Sequence, residues 1–150
     1  MNSPSSPLTT QNSSFIWMLL FLCWIIVVVS MLGSLFFSEV MGLEPCVLCW
    51  YQRICTYPLV VIFLVALFPL DVRVIKYTLP ISFIGLGFAL YHYLVYSGYI
   101  PESLQPCGQG PSCAEINLEL FGFITIPMLS ILSYLTIIVL QLSIHYRTKQ

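Results

Sequence analysis

The sequence predicts an all-α membrane protein, a bundle of four transmembrane helices with both termini in the cytoplasm. Hydrophobic residues make up 59% of the 150 residues and charged residues only 7%, whereas a soluble globular chain carries roughly a quarter charged residues. The apolar residues fall in four long runs, each close to the roughly 20 residues that cross a bilayer. Four of the five basic residues then fall on one side of that topology. Lipid is therefore expected to be the main solvent.

The first predicted helix covers about 15–37, an apolar run without a charge. A secretory signal peptide would instead need a basic start, a shorter apolar stretch and a small-residue cleavage site, and the run shows none of these. The polar, uncharged residues 1–14 before it have no periodicity and are typical of a disordered tail.

Three further helices are predicted along the chain, at about 46–68, 78–97 and 120–143. Together with the first they form one transmembrane domain over 15–143. Two outer loops separate the helices, at 38–45 and 98–119, and residues 144–150 form a short tail on the cytoplasmic side.

The orientation follows from the basic residues. Arg73, Lys76, Arg147 and Lys149 all fall on one side of a four-helix topology, and that side is cytoplasmic by the positive-inside rule. Both outer loops then face the compartment in which disulfides persist. The net charge of −1 gives no indication of a nucleic-acid partner.

Two close cysteine pairs lie in these outer segments, and the first has the more informative surroundings. Cys46 and Cys49 form a CxxC at the start of the second helix, where the helix dipole favours a thiolate. Arg53 is expected on the same helical face, about 6 Å deeper. It is predicted to stabilise the Cys49 thiolate and negative charge on an electron acceptor, although a snorkelling side chain is the alternative.

The second pair, Cys107 and Cys113, lies in the long outer loop. A static staple and an exchange partner for Cys46 and Cys49 are both open. Two pairs on one membrane face favour a relay, in which electrons pass from a soluble dithiol to the loop pair and then to the CxxC. A zinc site built from all four thiolates is a further alternative, but an oxidising compartment disfavours it, so no metal is predicted.

His92 lies inside the third predicted helix. Ionisable residues within membranes are functional candidates by default, and a structural imidazole bonded to a neighbouring helix is the alternative. Cys23 and Cys55 stand alone and are predicted to be small buried hydrophobes.

The run from Glu44 to Arg53, EPCVLCWYQR, resembles the signature of the DsbB family of membrane disulfide-forming proteins. YHYL at 91–94, the close pair Cys107 and Cys113, and FGFITIP at 121–127 are similar to its BdbC-type branch. The resemblance covers nearly all of the chain from the first helix through the fourth. The loop cysteines are the one departure, since the better-known branch has them far apart and here five residues separate them.

The resemblance implies a four-helix bundle in the bacterial cytoplasmic membrane that reoxidises an extracytoplasmic thioredoxin-fold thiol oxidase of the DsbA or BdbD kind. It also implies a quinone, ubiquinone or menaquinone, as the electron acceptor near Cys49 and Arg53. As an ionisable residue inside a membrane helix, His92 is a further candidate quinone-binding residue. Cys107 would form the mixed disulfide with the soluble partner. Cys49 would be the sulfur nearest the quinone and Cys46 its disulfide partner.

Two other functions compete with a quinone-dependent thiol oxidase. An enzyme similar to vitamin K epoxide reductase also combines helices, a quinone and two cysteine pairs, but in that family the loop pair precedes the CxxC. A non-enzymatic scaffold stapled by disulfides is the second alternative, and it would tolerate replacement of Arg53.

Overall fold

The computed structural model describes residues 10–100 and 125–149, which within those ranges form helices and no strand. The four α-helices run over Thr10–Leu35 (α1), Val47–Leu67 (α2), Ile75–Tyr96 (α3) and Ile126–Arg147 (α4). All four are long and apolar enough to cross a membrane. The predicted all-α fold with four transmembrane helices is therefore confirmed.

The helices form a closed ring. α1 packs against α2 and α4, and α3 packs against α2 and α4. The guanidinium of Arg147 lies 4.4 Å from the centre of the Phe15 ring, which places the last turn of α4 beside the beginning of α1. Both helical ends nearest the chain termini therefore lie at one end of the bundle, together with Arg73 in the connection from α2 to α3 and Lys76 in the first turn of α3. Which side of a membrane this end faces stays a prediction.

We call this end the far end and the opposite end, where α2 begins and α3 finishes, the sulfur end. The main apolar core is built from all four helices, and Leu20, Val27, Leu59 and Phe63 are fully buried in it. Large apolar side chains also cover the outside of the bundle, as Phe68 and Val29 do at more than half exposure. A water-soluble bundle would not expose so many of them, and lipid is the solvent they fit.

Helix α1 is longer than the predicted 15–37. It begins at Thr10. At its other end a π-helical turn over Phe36–Val40 continues the helix into the predicted loop 38–45. The connection to α2 therefore starts only at Met41.

The starts of α2 and α3 also differ from the predicted positions. Cys46 is the residue that caps α2, and the helix itself begins at Val47. Asp71 accepts a hydrogen bond from the backbone N–H of Arg73 at 2.9 Å, so a short 3-10 turn over Val72–Val74 leads into α3 at Ile75. The predicted start of the fourth helix at 120, and most of the predicted tail 1–14, lie outside the described residues.

Helices α3 and α4 approach closely at Gly85. A Cβ atom at this position would overlap the ring of Tyr134, so the contact requires a residue without a side chain. This packing holds Tyr134 against α2, where its hydroxyl donates to the Gln52 carbonyl at 3.0 Å.

Candidate active site

The dithiol of Cys46 and Cys49 forms the centre of the site at the sulfur end. Cys46 has an extended backbone and caps α2, and its sulfur accepts a hydrogen bond from the backbone N–H of Cys49 at 3.4 Å. The two sulfurs are 3.0 Å apart, compared with about 2.05 Å in a disulfide. Both residues are free cysteines, Cys46 buried and Cys49 partly exposed. The CxxC on the first turn of α2 therefore brings two thiols into direct contact.

His92 of α3 faces the buried member of this pair. Its Nε2 lies 3.7 Å from the sulfur of Cys46, and its Nδ1 lies 3.1 Å from the side-chain nitrogen of Gln52. His92 and Gln52 are both buried. An amide N–H that donates to Nδ1 leaves the ring proton on Nε2, where it points to the sulfur. In this arrangement Gln52 favours the tautomer that suits a Cys46 thiolate.

The surroundings of Cys46 favour its thiolate form. The pKa of Cys46 is lowered from 9.0 to about 4, mainly by the hydrogen bond from the Cys49 thiol; His92 lowers it further, and burial opposes the change. The sequence had predicted a thiolate at Cys49 paired with Arg53. That role of Arg53 stays a prediction, and the structure adds the ring of His92 beside the Cys46 sulfur.

Arg53 is buried and held by α1. Its Nε donates to the Ser34 hydroxyl at 2.8 Å, and one Nη donates to the Ser34 carbonyl at 2.7 Å and to the Ser38 hydroxyl at 3.0 Å. Its guanidinium also lies 5.3 Å from the centre of the Trp50 ring. Among the described residues, no hydrogen bond joins Arg53 to either sulfur. Fixed partners at 6% exposure argue against a snorkelling side chain.

The π-helical turn at the end of α1 supplies part of this support. Ser38 lies within the turn, which closes with a bond from the Met41 N–H to the Phe36 carbonyl at 3.2 Å. Such turns widen a helix locally and occur often at functional sites. Here the turn places the Ser38 hydroxyl within reach of Arg53.

A cavity of about 310 Å³ lies between α1, α2 and α4. Cys49 and Arg53 both line it, and the rest of its wall is mainly apolar. Small-molecule sites are typically apolar clefts of roughly this size with a few polar groups that fix orientation. The two cysteines therefore have different surroundings. Cys46 contacts His92 of α3, and Cys49 borders the cavity. The apolar residues of the wall include Val29, Met31, Phe37, Leu43, Leu59, Ile126, Leu129 and Ile137.

The structure brings together four of the six predicted site residues: Cys46, Cys49, Arg53 and His92. Cys107 and Cys113 lie outside the described residues. Cys23 and Cys55 are buried, as predicted. The sequence interpretation missed Gln52, Ser34 and Ser38, although a polar side chain inside an apolar run, such as Gln52, was a signal for a buried partner.

A family model described as "Disulfide bond formation protein DsbB" matches residues 13–144. The chain belongs to the DsbB family. This match confirms the predicted resemblance and favours it over the enzyme similar to vitamin K epoxide reductase. With its four membrane-spanning helices, this DsbB-family chain is a multi-pass membrane protein, and it is a thiol–disulfide oxidoreductase of disulfide bond formation.

Curated DsbB-family relatives match most of the chain. It is 42% identical to a "Probable disulfide formation protein" of Metapseudomonas resinovorans over 92% of this chain and 96% of the relative. It is 43% identical to "Disulfide bond formation protein C" of Bacillus subtilis over 80% and 87%. It is 47% identical to "Probable disulfide formation protein C 2" of Bacillus cereus over 79% and 85%. No solved structure matches the chain significantly.

Proposed function

We propose that this protein reoxidises an extracytoplasmic thioredoxin-fold thiol oxidase, similar to DsbA or BdbD, and passes the electrons to a membrane quinone, ubiquinone or menaquinone. It would do so in a bacterial cytoplasmic membrane, with its active cysteines on the outer face. One observation carries the proposal: Cys49, a reactive sulfur of the dithiol, borders an apolar cavity that Arg53 also lines.

The residues of the cavity fit a quinone head group. Its flat ring suits an apolar cleft, and its carbonyl oxygens need hydrogen-bond donors. Arg53 is anchored to Ser34 and Ser38 through Nε and one Nη. Its second Nη bonds none of the described residues and is available as a charged donor. A bound quinone would supply the acceptor of two electrons and two protons that dithiol oxidation needs.

The dithiol supplies the electrons and one of the protons. Two electrons leave the sulfurs when the bond between Cys46 and Cys49 forms, and the thiol proton of Cys49 leaves with them. Since Cys46 is already a thiolate, water supplies the second proton of the quinol. The cation of Arg53 at the cavity wall stabilises negative charge that develops on the acceptor.

The loop pair would connect this chemistry to the soluble partner. The partner's dithiol attacks a disulfide between Cys107 and Cys113, and the mixed disulfide forms on Cys107. The reduced loop pair then attacks the disulfide between Cys46 and Cys49. Each exchange breaks one S–S bond and forms another, so two electrons move inward at every step.

Turnover of the purified protein tests the proposal. The protein in nanodiscs is mixed with a reduced thioredoxin-fold oxidase and a ubiquinone or menaquinone analogue under anaerobic conditions. Quinone absorbance and free thiols are followed together, and one quinone should be consumed for every two thiols lost.

The matched control uses the same protein after alkylation of its reduced cysteines, which should consume no quinone. If none of the ubiquinone or menaquinone analogues supports turnover of the native protein, the proposal is wrong. If thiols disappear without loss of quinone, another acceptor is in use.

A further inference from the structure

We propose that the reduced site binds one Zn²⁺ ion through the Cys46 sulfur, the Cys49 sulfur and His92 Nε2, and that the bound ion holds the dithiol reduced and stops turnover. The binding itself needs no assumption about the reaction. The inhibition rests on the proposed function. The ligand set differs from the four-thiolate zinc alternative, because it takes His92 from α3 and no cysteine from the outer loop.

The three donor atoms are already close together. They lie within 4.8 Å of one another. Zinc bonds of about 2.3 Å to sulfur and 2.0–2.1 Å to nitrogen in a tetrahedron separate two sulfurs by about 3.8 Å and a sulfur from a nitrogen by about 3.6 Å. The distance from Cys46 Sγ to His92 Nε2 is 3.7 Å. The sulfurs, at 3.0 Å, would have to separate by less than about 1 Å.

The donor types and their burial favour zinc among common cations. Thiolate and imidazole together suit Zn²⁺, whereas Mg²⁺ and Ca²⁺ prefer oxygen ligands. Cys46 and His92 are buried, and Cys49 is partly exposed. Three protein ligands leave the fourth tetrahedral position for water, as in zinc sites with an open position.

Gln52 provides the outer support that such a site needs. A histidine that binds metal through Nε2 carries its proton on Nδ1 and usually donates it to a neighbouring acceptor. The Gln52 side chain lies 3.1 Å from His92 Nδ1. Rotation of its amide by half a turn would offer the oxygen in place of the nitrogen. One side chain can therefore support either state of His92.

Zinc binding would depend on the redox state. In the disulfide form, both sulfurs are consumed by the S–S bond and two of the three ligands are lost. In the dithiol form, Zn²⁺ displaces the thiol proton of Cys49, the ring proton of His92 moves from Nε2 to Nδ1, and no electron is transferred. By linkage, zinc stabilises the reduced form only and opposes its reoxidation.

Metal binding is tested directly on tag-free, full-length protein in detergent, reduced and then freed of reductant without oxygen. Co²⁺ is added as an optical probe and then displaced with Zn²⁺. We expect one metal ion per reduced chain, with thiolate-to-cobalt and tetrahedral absorption bands, and none in the disulfide form. Equal binding by the oxidised protein would overturn the proposal, and this comparison needs no substitution.

Variants identify the ligands. His92→Ala should weaken zinc binding by more than the roughly 10–100-fold that loss of an outer-shell partner costs. Gln52→Glu should strengthen it, since a carboxylate accepts the Nδ1 proton well. The double variant Cys107→Ser with Cys113→Ser, and the control Cys55→Ser, should bind as the parent does. Loss of binding in the loop variant would favour the four-thiolate site and contradict ours.

Turnover in the presence of zinc tests whether the bound ion inhibits the enzyme. Zinc at the concentration that saturates the reduced protein should stop quinone consumption, and a chelator should restore it. Zinc that binds without effect on turnover would overturn the inhibitory role. A protein that shows no turnover even without zinc would contradict the proposed function and leave the binding result standing.

Discussion

The two ends of the bundle each bury a glutamine, and the two side chains have different partners. At the sulfur end, Gln52 lies 3.1 Å from His92 Nδ1, and His92 contacts the Cys46 sulfur. Toward the far end, Gln141 donates to the Ser82 hydroxyl at 2.9 Å, and its carbonyl oxygen has no hydrogen-bond partner among the described residues. The first glutamine belongs to a network that ends on a reactive atom, and the second only joins α4 to α3.

Buried polar groups with a chemical role therefore differ in their partners from those that only join helices. A polar side chain in an apolar interior costs stability unless its groups are paired. The unpaired oxygen of Gln141 costs stability, and the hydrogen bond of this residue leads to Ser82, which is neither titratable nor reactive. Gln52 instead orients a ring against a thiolate. Each residue type at the sulfur end has a counterpart at the far end, so paired substitutions can test the comparison.

The largest difference is expected between cysteines. Cys46→Ser and Cys49→Ser should each abolish quinone-dependent turnover, because a single sulfur cannot form the intramolecular disulfide. Cys23→Ala, in the apolar core, should retain turnover and lose stability by about 1 kcal/mol or more for the lost packing. Steady-state quinone consumption and thermal unfolding check both outcomes. Residual turnover in either serine variant would show that the dithiol is dispensable.

The second largest difference concerns pH. Because the pKa of Cys46 is lowered to about 4, its thiolate is fully formed at pH 6, and its alkylation rate in the reduced protein should be nearly flat from pH 6 to pH 8. In the unfolded chain the rate should rise about 100-fold over the same range, as for an ordinary thiol. Mass spectrometry of alkylated peptides gives both rates.

The Cys49→Ala variant provides the control for this pH dependence. It removes the hydrogen bond that contributes most to the lowered pKa, so the pKa of Cys46 should rise and its reactivity should fall as the pH is lowered from 8 to 6. If the alkylation rate of Cys46 in this variant does not change with pH, the lowered pKa is due to His92 or to the start of α2.

Two arginines give the next comparison. Arg53→Gln should raise the quinone KM roughly tenfold or more, since a charge-assisted hydrogen bond contributes about 1.5–3 kcal/mol. Arg147→Gln, exposed at the far end, should change it little. Arg53→Lys should recover only part of the loss, because an ammonium cannot hold Ser34 and Ser38 with the same fork. Unchanged kinetics in Arg53→Gln would refute its role.

The smallest difference is expected between the two glutamines. Gln52→Leu should lower turnover several-fold by releasing His92, and the pH profile of Cys46 alkylation should shift with it. Gln141→Leu removes an unpaired buried oxygen and should leave unfolding within about 1 kcal/mol of the parent. Equal effects of the two changes on turnover would remove the distinction between the two ends.

The fold could be predicted from the sequence because each helix is a long apolar run, and the thickness of a bilayer leaves few other structures for such a run. Helix ends were harder to predict. Asp71 was a capping residue visible in the sequence, and it explains the early start of α3. The π-helical turn after Leu35 had no such signal in the sequence.

Helical spacing was enough to predict that the two CxxC sulfurs lie close together and that Arg53 lies near them. It was not enough to predict which residues of the other helices they contact. Spacing within α2 places Arg53 one turn below Cys49. It cannot show that α1 occupies the guanidinium or that α3 brings His92 to Cys46. Contacts between helices depend on the rotation of each helix about its axis, and the weak amphipathicity of a lipid-facing chain leaves that rotation undetermined.

The contact between Arg147 and Phe15 has a consequence for how the chain is made. With both ends on one side, the chain can enter the bilayer as two helical hairpins, α1 with α2 and α3 with α4. If the far end faces the cytoplasm, as predicted, each hairpin carries only a connecting segment across the membrane, and four of the five basic residues stay where translation takes place. A reporter attached at either terminus should report the same compartment.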